Sequence, residues 1–462
     1  MNPYVHPVFF AKALKAYLRD RSRLRRWDDD RIRRYQDKRL RHLVDWAYHT
    51  VPMYRAKYRD AGVHPQDIHG VKDIGRLPLV SKEDFFAFYP DGLVSSKAKR
   101  KQLIEISTSG TTGKKLALYV DLFDVVVGLL AYLQALTEHG LNWRKDKLSI
   151  IGDFASHTAE TGYIQRGIQA QTGTRFLFKN VQWLNTNDPP KQVMEELNRF
   201  QPDFVGGYAG MLGHLALLKE QGFGEDVSPR CIGSTGSVLD PSLRRFIGES
   251  FGASVFEVYG ATESGPLAFE CMEGCYHVYS DLVYLEVLGR DGQQVGTGEP
   301  SRLVVTKLYG GGTPIIRYVA VNDIIASRSK PCGCGVSGSL LQRIYGRDDL
   351  ALYLPNGRVL LASSFSEIYS RVLYELKTTK LKETRVLQPS MTEVEVQVVI
   401  DPELCDVGAS VDAILSLLQK GFEDKVGPGV EVRVREVREV KKGGPRIVSS
   451  VDTTQYRVRE YI

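Results

Sequence analysis

Between residues 147 and 260 the chain repeats one pattern: a short apolar run, a glycine-bearing turn, then an amphipathic stretch. KLSIIGDF (147–154) opens the series. DFVGGY (203–208) follows and leads into AGMLGHLALLKEQG (209–222), RCIGSTGS (230–237) leads into DPSLRRFIGESFG (240–252), and ASVFEVYG (253–260) closes it. Runs of this length separated by 3.6-period segments predict parallel βαβ units, with helices burying both faces of a sheet. Ligands of such sheets bind outside the carboxyl ends of the strands, where the turns GYAG, STGS and YGATES fall.

The pattern changes on either side of that series. Residues up to about 100 read as amphipathic helices, with Leu40, Leu43, Val44 and Ala47 at helical spacing before a break at Val51-Pro52. After 275, DLVYLEVLGRDGQQ and SRLVVTKLYGGGTP alternate apolar and polar residues, which predicts antiparallel strands. Beyond GRDD (346–349), EVEVQVVIDPE, SVDAILSLLQKGFEDK and VEVRVREVREV predict strand, helix and strand. With 462 residues, more than one core is expected. The expected α/β architecture is a large unit over 1–346, parallel sheet with helices plus an antiparallel, barrel-like part, and a small mobile α+β unit over 347–462, hinged near Arg347 to Asp349.

A hydrophobic fraction of 43% with 25% charged residues is that of a globular enzyme. VVVGLLAYLQAL (125–136) is too short to cross a bilayer and predicts a buried helix, and no secretory leader is read at the N-terminus, so a cytoplasmic protein without a membrane partner is expected. The basic run over 19–42 is interrupted by Asp20, Asp28, Asp29, Asp30 and Asp37 at i,i+3 and i,i+4 spacings and carries no aromatic stacking platform. A solvated helical face is therefore expected there, and not a nucleic-acid surface.

STSGTTGKK (107–115) is the stretch with most chemistry. It is not a Walker loop, because Thr108 stands where the first glycine belongs and Lys115 where a magnesium-binding hydroxyl belongs. Gly110 and Gly113 nevertheless allow a tight turn, and Ser107, Thr108, Ser109, Thr111 and Thr112 with Lys114 offer hydroxyls and a positive charge. That set suits a polyphosphate.

Four segments then occur in order: STSGTTGKK (107–115), VYGATESG (258–265), PIIRYVAVND (314–323) and YGRDDL (345–350). With them the chain resembles the adenylate-forming superfamily of acyl- and aryl-CoA ligases, and within it the phenylacetate-CoA ligases and CapK-type relatives. The resemblance implies ATP-dependent activation of a carboxylic acid, aromatic by this reading, to an acyl adenylate with release of pyrophosphate, then transfer to CoA. By resemblance, the 107–115 loop with Lys114 holds the phosphates, Thr262 contacts the α-phosphate, Glu263 helps hold Mg2+, and Tyr259 with Gly260 lies against adenine. Asp323 binds the ribose hydroxyls and Arg347 contacts the nucleotide. Gly236 matches a glycine beside adenine, although Ser237 stands where glutamate is common. The family's C-terminal lysine has no clear equivalent: Pro445 occupies its place in VKKGGPRIVSSVD (440–452), leaving Lys441, Lys442 or Arg446 to replace it, with Lys442 taken as the first choice. Phe154, His157, Tyr208 and Met211 fall in segments that would line an acyl pocket. The implied alternatives are delivery to a carrier protein, an amine or another acceptor, or a degenerate nucleotide-binding homologue; a homodimer is compatible with each.

Five thiol or imidazole groups cluster in two segments, Cys271, Cys275 and His277 in ECMEGCYH and Cys332 and Cys334 in PCGCG. Two pairs of N or S donors from distant segments are the pattern of a structural Zn2+ site. The C-x5-H and CxC spacing of CapK-type relatives selects Cys271, His277, Cys332 and Cys334, leaving Cys275 spare.

Overall fold

The computed structural model describes residues 7–20, 22–107, 116–154, 179–319, 321–441, 445–453, 456, 458, 460 and 461. Strands β1 (Ile104–Ser107) and β2 (Ala117–Val120) pair antiparallel and flank the 108–115 stretch, which lies outside the described residues. The repeating series forms parallel strands β3 (Leu148–Gly152), β5 (Phe204–Tyr208), β6 (Cys231–Thr235) and β7 (Ser254–Ala261), with β4 (Val181–Asn185) at the edge beside β3. Adjacent residues of one strand face opposite sides, so Phe204 and Val205 enter different cores. Val205 and Ile232 pack with Leu197, Leu215 and Ile247 of the helices Pro190–Phe200, Ala209–Glu220 and Pro241–Phe251. Phe204 and Phe256 pack with Leu130, Leu133 and Leu136 of the helix Leu122–Glu138, which contains the apolar run VVVGLLAYLQAL.

The helix boundaries follow their local chemistry. Asp240 accepts from Leu243 N at 2.9 Å and Pro241 holds the first helical position, while Gly252, at φ 62°, ends the helix. Val51 closes the helix Asp29–Thr50 and precedes Pro52, the first residue of the helix Pro52–Asp60, so the proline break is a corner between two helices.

The antiparallel strands continue the same sheet. From β7 the hydrogen-bonded order runs through β8 (Gly265–Glu270), β9 (Tyr276–Val278), β13 (Leu340–Arg347), β12 (Asp323–Arg328), β11 (Ser301–Lys307) and β10 (Val283–Leu288), giving eleven strands in all. Past β13, the antiparallel pair β14 (Ala351–Tyr353) and β15 (Arg358–Leu361), joined by β20 (Glu460–Tyr461), shares a small core with Ile324 of β12. A four-stranded sheet, β18 (Glu431–Glu436), β17 (Glu393–Ile400), β16 (Leu381–Ser390) and β19 (Ile447–Ser449), packs its Val386, Val396 and Val398 against Ile414, Leu418 and Phe422 of the helix Val411–Val426.

The N-terminal helices dock on the antiparallel half through polar anchors. Tyr54 Oη donates to Pro314 O at 2.9 Å and accepts from Ile316 N at 3.0 Å, while Val80 N donates to Arg317 O and Val80 O accepts from Val319 N. Arg23 and Arg25 of the basic run reach Asp281 and Glu138, partners distant in sequence. Arg317 is the central anchor: its guanidinium meets Glu286 at 2.9 and 3.1 Å and donates to the carbonyls of Gly75 and Leu77. Both side chains are 6% exposed. Removing the cation leaves a carboxylate buried alone, so Arg317→Ala is expected to cost about 3–5 kcal/mol, whereas Arg199→Ala, which breaks the surface pair with Glu196, should cost about 1 kcal/mol or less. Urea unfolding of both variants checks this, and similar midpoints would refute it.

Candidate active site

A cavity of about 1950 Å3 opens at the carboxyl ends of the parallel strands and extends beneath the small C-terminal sheet. Ser107, Gly236, Tyr259, Gly260, Thr262, Glu263, Asp323 and Arg347 all line it. Among the sequence-predicted site residues, Thr108, Ser109, Gly110, Thr111, Thr112, Gly113, Lys114 and Lys442 lie outside the described residues.

Sheet curvature makes the convergence possible. Three strands separate β7 from β12, which in a flat sheet would place them about 19 Å apart. Yet the Tyr259 hydroxyl of β7 donates to Asp323 Oδ2 of β12, so the sheet wraps around this end of the cavity. Asp323 pairs in register with Arg347 of β13, and Asn322 just before it takes a left-handed turn at φ 62°. Arg347 itself donates to Asp349 at 2.8 and 2.6 Å.

Enclosure sets the electrostatics. Burial pushes Asp323 up to about 6, while the Tyr259 hydrogen bond and the charge of Arg347 pull it down. Burial likewise raises Glu263, opposed by the charges of Arg347 and Lys82. The Tyr259 hydroxyl, buried and facing a carboxylate, is held far above the ordinary phenol range and stays a donor.

Gly236 is required twice over. Its φ is 82°, and a Cβ there would stand 2.4 Å from the Tyr208 ring. No glutamate follows it, but Glu257 of β7 lines the cavity and accepts from Leu239 N at 2.9 Å, tying the end of the same turn. Arg244 holds Glu257 at 2.9 Å and Glu270 at 2.7 Å. Of the acyl-pocket candidates, Tyr208 lines the cavity, Phe154 packs edge-on to Trp183, and His157 lies outside the described residues. Met211 is buried in a core cluster with Leu212 and Leu215 and is not among the cavity-lining residues. Among the candidate replacements for the C-terminal lysine, Arg446 lines the cavity and the exposed Lys441 does not. Lys82, Lys382 and Glu257 are cavity-lining charges that the sequence reading passed over. Glu257 alone carried a sequence signal, sitting two residues before Tyr259 in a strand that otherwise reads as apolar.

A second cluster lies at the far end of β8 and β9. One donor atom each from Cys271, His277, Cys332 and Cys334 lies within 4.8 Å of every other. The Cys271 and Cys332 sulfurs are 3.7 Å apart, and Cys334 Sγ is 3.2 Å from His277 Nε2. Metal–sulfur bonds of ~2.3 Å put the vertices of a tetrahedron about 3.8 Å apart, so the spacing fits a single ion. His277 is wholly buried with Nδ1 lacking a partner among the described residues. The ring turns Nε2 toward the sulfurs, the edge a ligand would present. Cys275 is buried beside Cys332 but outside that set of four, with its sulfur 3.9 Å from Glu273 O.

No protein-family model matches the chain. It is 28% identical over 331 residues to the phenylacetate-coenzyme A ligase of Escherichia coli, covering 70% of this chain and 72% of that protein. To the phenylacetate-coenzyme A ligase of Thermus thermophilus it is 26% identical over 413 residues, covering 84% and 89%. Protein CapK of Staphylococcus aureus is 22% identical over 290 residues, 60% of each chain. The fold superposes on that of 2-hydroxyisobutyryl-CoA ligase, solved in its postadenylation state with an acyl-AMP, with a TM-score of 0.71 over 95% of this chain and 91% of that one at 18% identity. For the anthranilate CoA ligase AuaEII the TM-score is 0.54, over 78% and 67% at 16% identity.

The Tyr259 bond stabilises the Asp323 carboxylate, so Tyr259→Phe should raise the titration of Asp323 above its value near 6. Carboxyl-carbon NMR of aspartate-labelled protein, assigned with Asp323→Asn, reads the shift. A midpoint that stays put or falls would refute the contact.

Proposed function

Because the chain is a phenylacetate-CoA ligase-like member of the adenylate-forming superfamily, we propose that it activates a carboxylic acid with ATP and Mg2+ and passes the acyl group to CoA. The convergence of Tyr259, Glu263, Asp323 and Arg347 on one cavity carries this reading. On it, Asp323 exchanges the Tyr259 hydroxyl for the two ribose hydroxyls, freeing the Tyr259 ring to lie against adenine. Arg347 contacts the nucleotide from the β13 end, Thr262 the α-phosphate, and Glu263 holds the magnesium that offsets phosphate charge. Lys114 and the 107–115 loop grip the β- and γ-phosphates. Residues 347–462 form the mobile unit that closes the cavity, since β16 and Arg446 already line it.

The acid fits the apolar part of the cavity, walled by Tyr208, Leu129, Tyr132 and Trp183; aromatic walls favour an aromatic or similarly flat acid. One structural Zn2+ on Cys271, His277, Cys332 and Cys334 would tie the β8–β9 hairpin to the loop before β13, bracing the strands that carry Glu263 and Arg347. A second reading has one observation in its favour: Pro445 in the place of the usual lysine. It is a homologue that binds nucleotide without adenylation, or one that serves a carrier protein or amine.

Pyrophosphate release across a panel of aromatic and aliphatic acids, with hydroxylamine to trap an adenylate and then with CoA, separates these readings. Release followed by a thioester supports the first. Release indifferent to CoA points to another acceptor, and ATP binding without release to the degenerate homologue. Glu263→Gln should lower release about 100-fold or more and be partly rescued by excess magnesium. Because a carboxylate must be charged to accept two hydroxyls, ATP affinity should fall as pH drops through about 6, and calorimetry at pH 7.5 and 5.5 tests the sign. Elemental analysis should find one zinc per chain, lost in Cys332→Ser and kept in Cys275→Ser.

A further inference from the structure

The position that would supply a lysine to the reacting carboxylate and α-phosphate is Pro445, half-buried and without charge. A cation replaces nothing by being in the same protein; what matters is which one faces the phosphate end of the cavity. Arg144, Arg302, Lys382 and Arg446 line the cavity, as do Arg347 and Lys82. Arg347 is committed to Asp349 by two hydrogen bonds, and Arg302 to Asp348 at 2.7 Å. Glu263, which the proposed function gives to magnesium, lines the same cavity as Arg347 and Lys82, and the charges of both act against its burial.

The placement of Lys82 is rigid. Ser81 and Asp84 form a reciprocal cap at the start of the helix Lys82–Phe88, with Ser81 N to Asp84 Oδ2 at 2.8 Å and Asp84 N to Ser81 Oγ at 3.3 Å. Lys57 holds the same Asp84 oxygen at 2.7 Å. One residue earlier, Val80 N donates to Arg317 O at 2.9 Å and Val80 O accepts from Val319 N at 3.0 Å. Lys82 is thus carried by backbone that is bonded directly to the stretch leading into Asp323. The side chain is half-buried against the cavity beside Ser81 and Glu83.

We propose that Lys82 is a catalytic residue that contacts the phosphate chain of bound ATP beside Glu263 and supplies, from the N-terminal segment, the positive charge that position 445 lacks. The inference rests on the function proposed above. In the step concerned, a carboxylate oxygen of the acid forms a bond to the α-phosphorus, the bond from that phosphorus to the bridging oxygen breaks, and pyrophosphate leaves with the electron pair. No proton or electron is consumed, so the protein's task is to offset charge that builds on the phosphate oxygens, and an ammonium group does this without acting as acid or base.

The test uses the full chain and separates phosphate contact from folding. Lys82→Ala should weaken ATP affinity about tenfold while leaving AMP affinity within about twofold, because only ATP carries the phosphates that Lys82 meets. Acid-dependent ATP–pyrophosphate exchange should fall about 100-fold, Lys82→Arg should recover much of it, and thioester formation from a supplied acyl adenylate and CoA should persist. Equal loss of ATP and AMP affinity, or no change in either, overturns the assignment. So does near wild-type exchange in Lys82→Ala together with its loss in Lys382→Ala or Arg446→Ala. If the unmodified chain binds neither nucleotide, the proposed function fails as a whole; if it exchanges pyrophosphate and Lys82→Ala does too, only the role of Lys82 fails.

Discussion

The buried guanidinium of Arg317 is the contact on which the working end of the molecule depends. It satisfies Glu286 and two carbonyls of the 75–77 stretch, while its own backbone N–H donates to Thr306 Oγ1 at 3.0 Å and its carbonyl accepts from Val80. The residue sits at φ 48°, a left-handed conformation costing a non-glycine residue roughly 1–2 kcal/mol. Such a conformation persists only where surrounding bonds over-determine it, and here they do. The consequence is geometric. The N-terminal helices, the end of β11 and the turn into Asp323 become one rigid corner, and Tyr318, stacked on Phe85 at 5.0 Å, fills its interior.

From that corner the chemistry of the cavity follows. A carboxylate on a flat, open sheet would titrate near its ordinary value; Asp323 is lifted because the sheet curls over it and buries it, and the hydroxyl that β7 brings to its oxygen offsets part of that rise. The contact with Tyr259 is replaceable in kind, since one hydroxyl can be exchanged for others of the same hydrogen-bonding character. A ribose diol offers that exchange and a purely apolar ligand does not.

Much of this was legible before any coordinates. The parallel strands were visible because their apolar runs have strand length and are separated by helical periods; the turn YGATES stood out because it ends a strand of that series, and the resemblance to CoA ligases singled out Tyr259, Thr262 and Glu263 within it. The Cys/His cluster was legible because thiol donors are rare and their spacing is informative. Lys82 was not, and Glu257 only as an odd charge without a role. Lys82 lies in SKEDFF, which reads as an ordinary capped helix, and its relation to Asp323 is made by backbone pairing between segments more than two hundred residues apart. Glu257 is one charge in an apolar strand, and only the positions of Arg244 and Leu239 give it meaning. Met211 sits just past a strand end, a location that says nothing about which side of a helix a side chain takes, and its side is the core.

The charge arrangement also constrains how a nucleotide can enter. The polar end of the cavity holds two enclosed carboxylates, Glu263 and Asp323, and its nearest arginine is already neutralised by Asp349. A bare polyphosphate brought against that set meets like charge in a low-dielectric enclosure, where repulsion is several times stronger than in water. A divalent cation on Glu263 inverts the local sign, and an ammonium group from the N-terminal corner adds to it. On the proposed reading the metal therefore enters with the nucleotide rather than waiting for it in the site. Tight binding is then expected of magnesium-bound ATP and poor binding of ATP in the presence of a chelator, while AMP, which presents its ribose to Asp323 but little phosphate to Glu263, is far less sensitive to the metal.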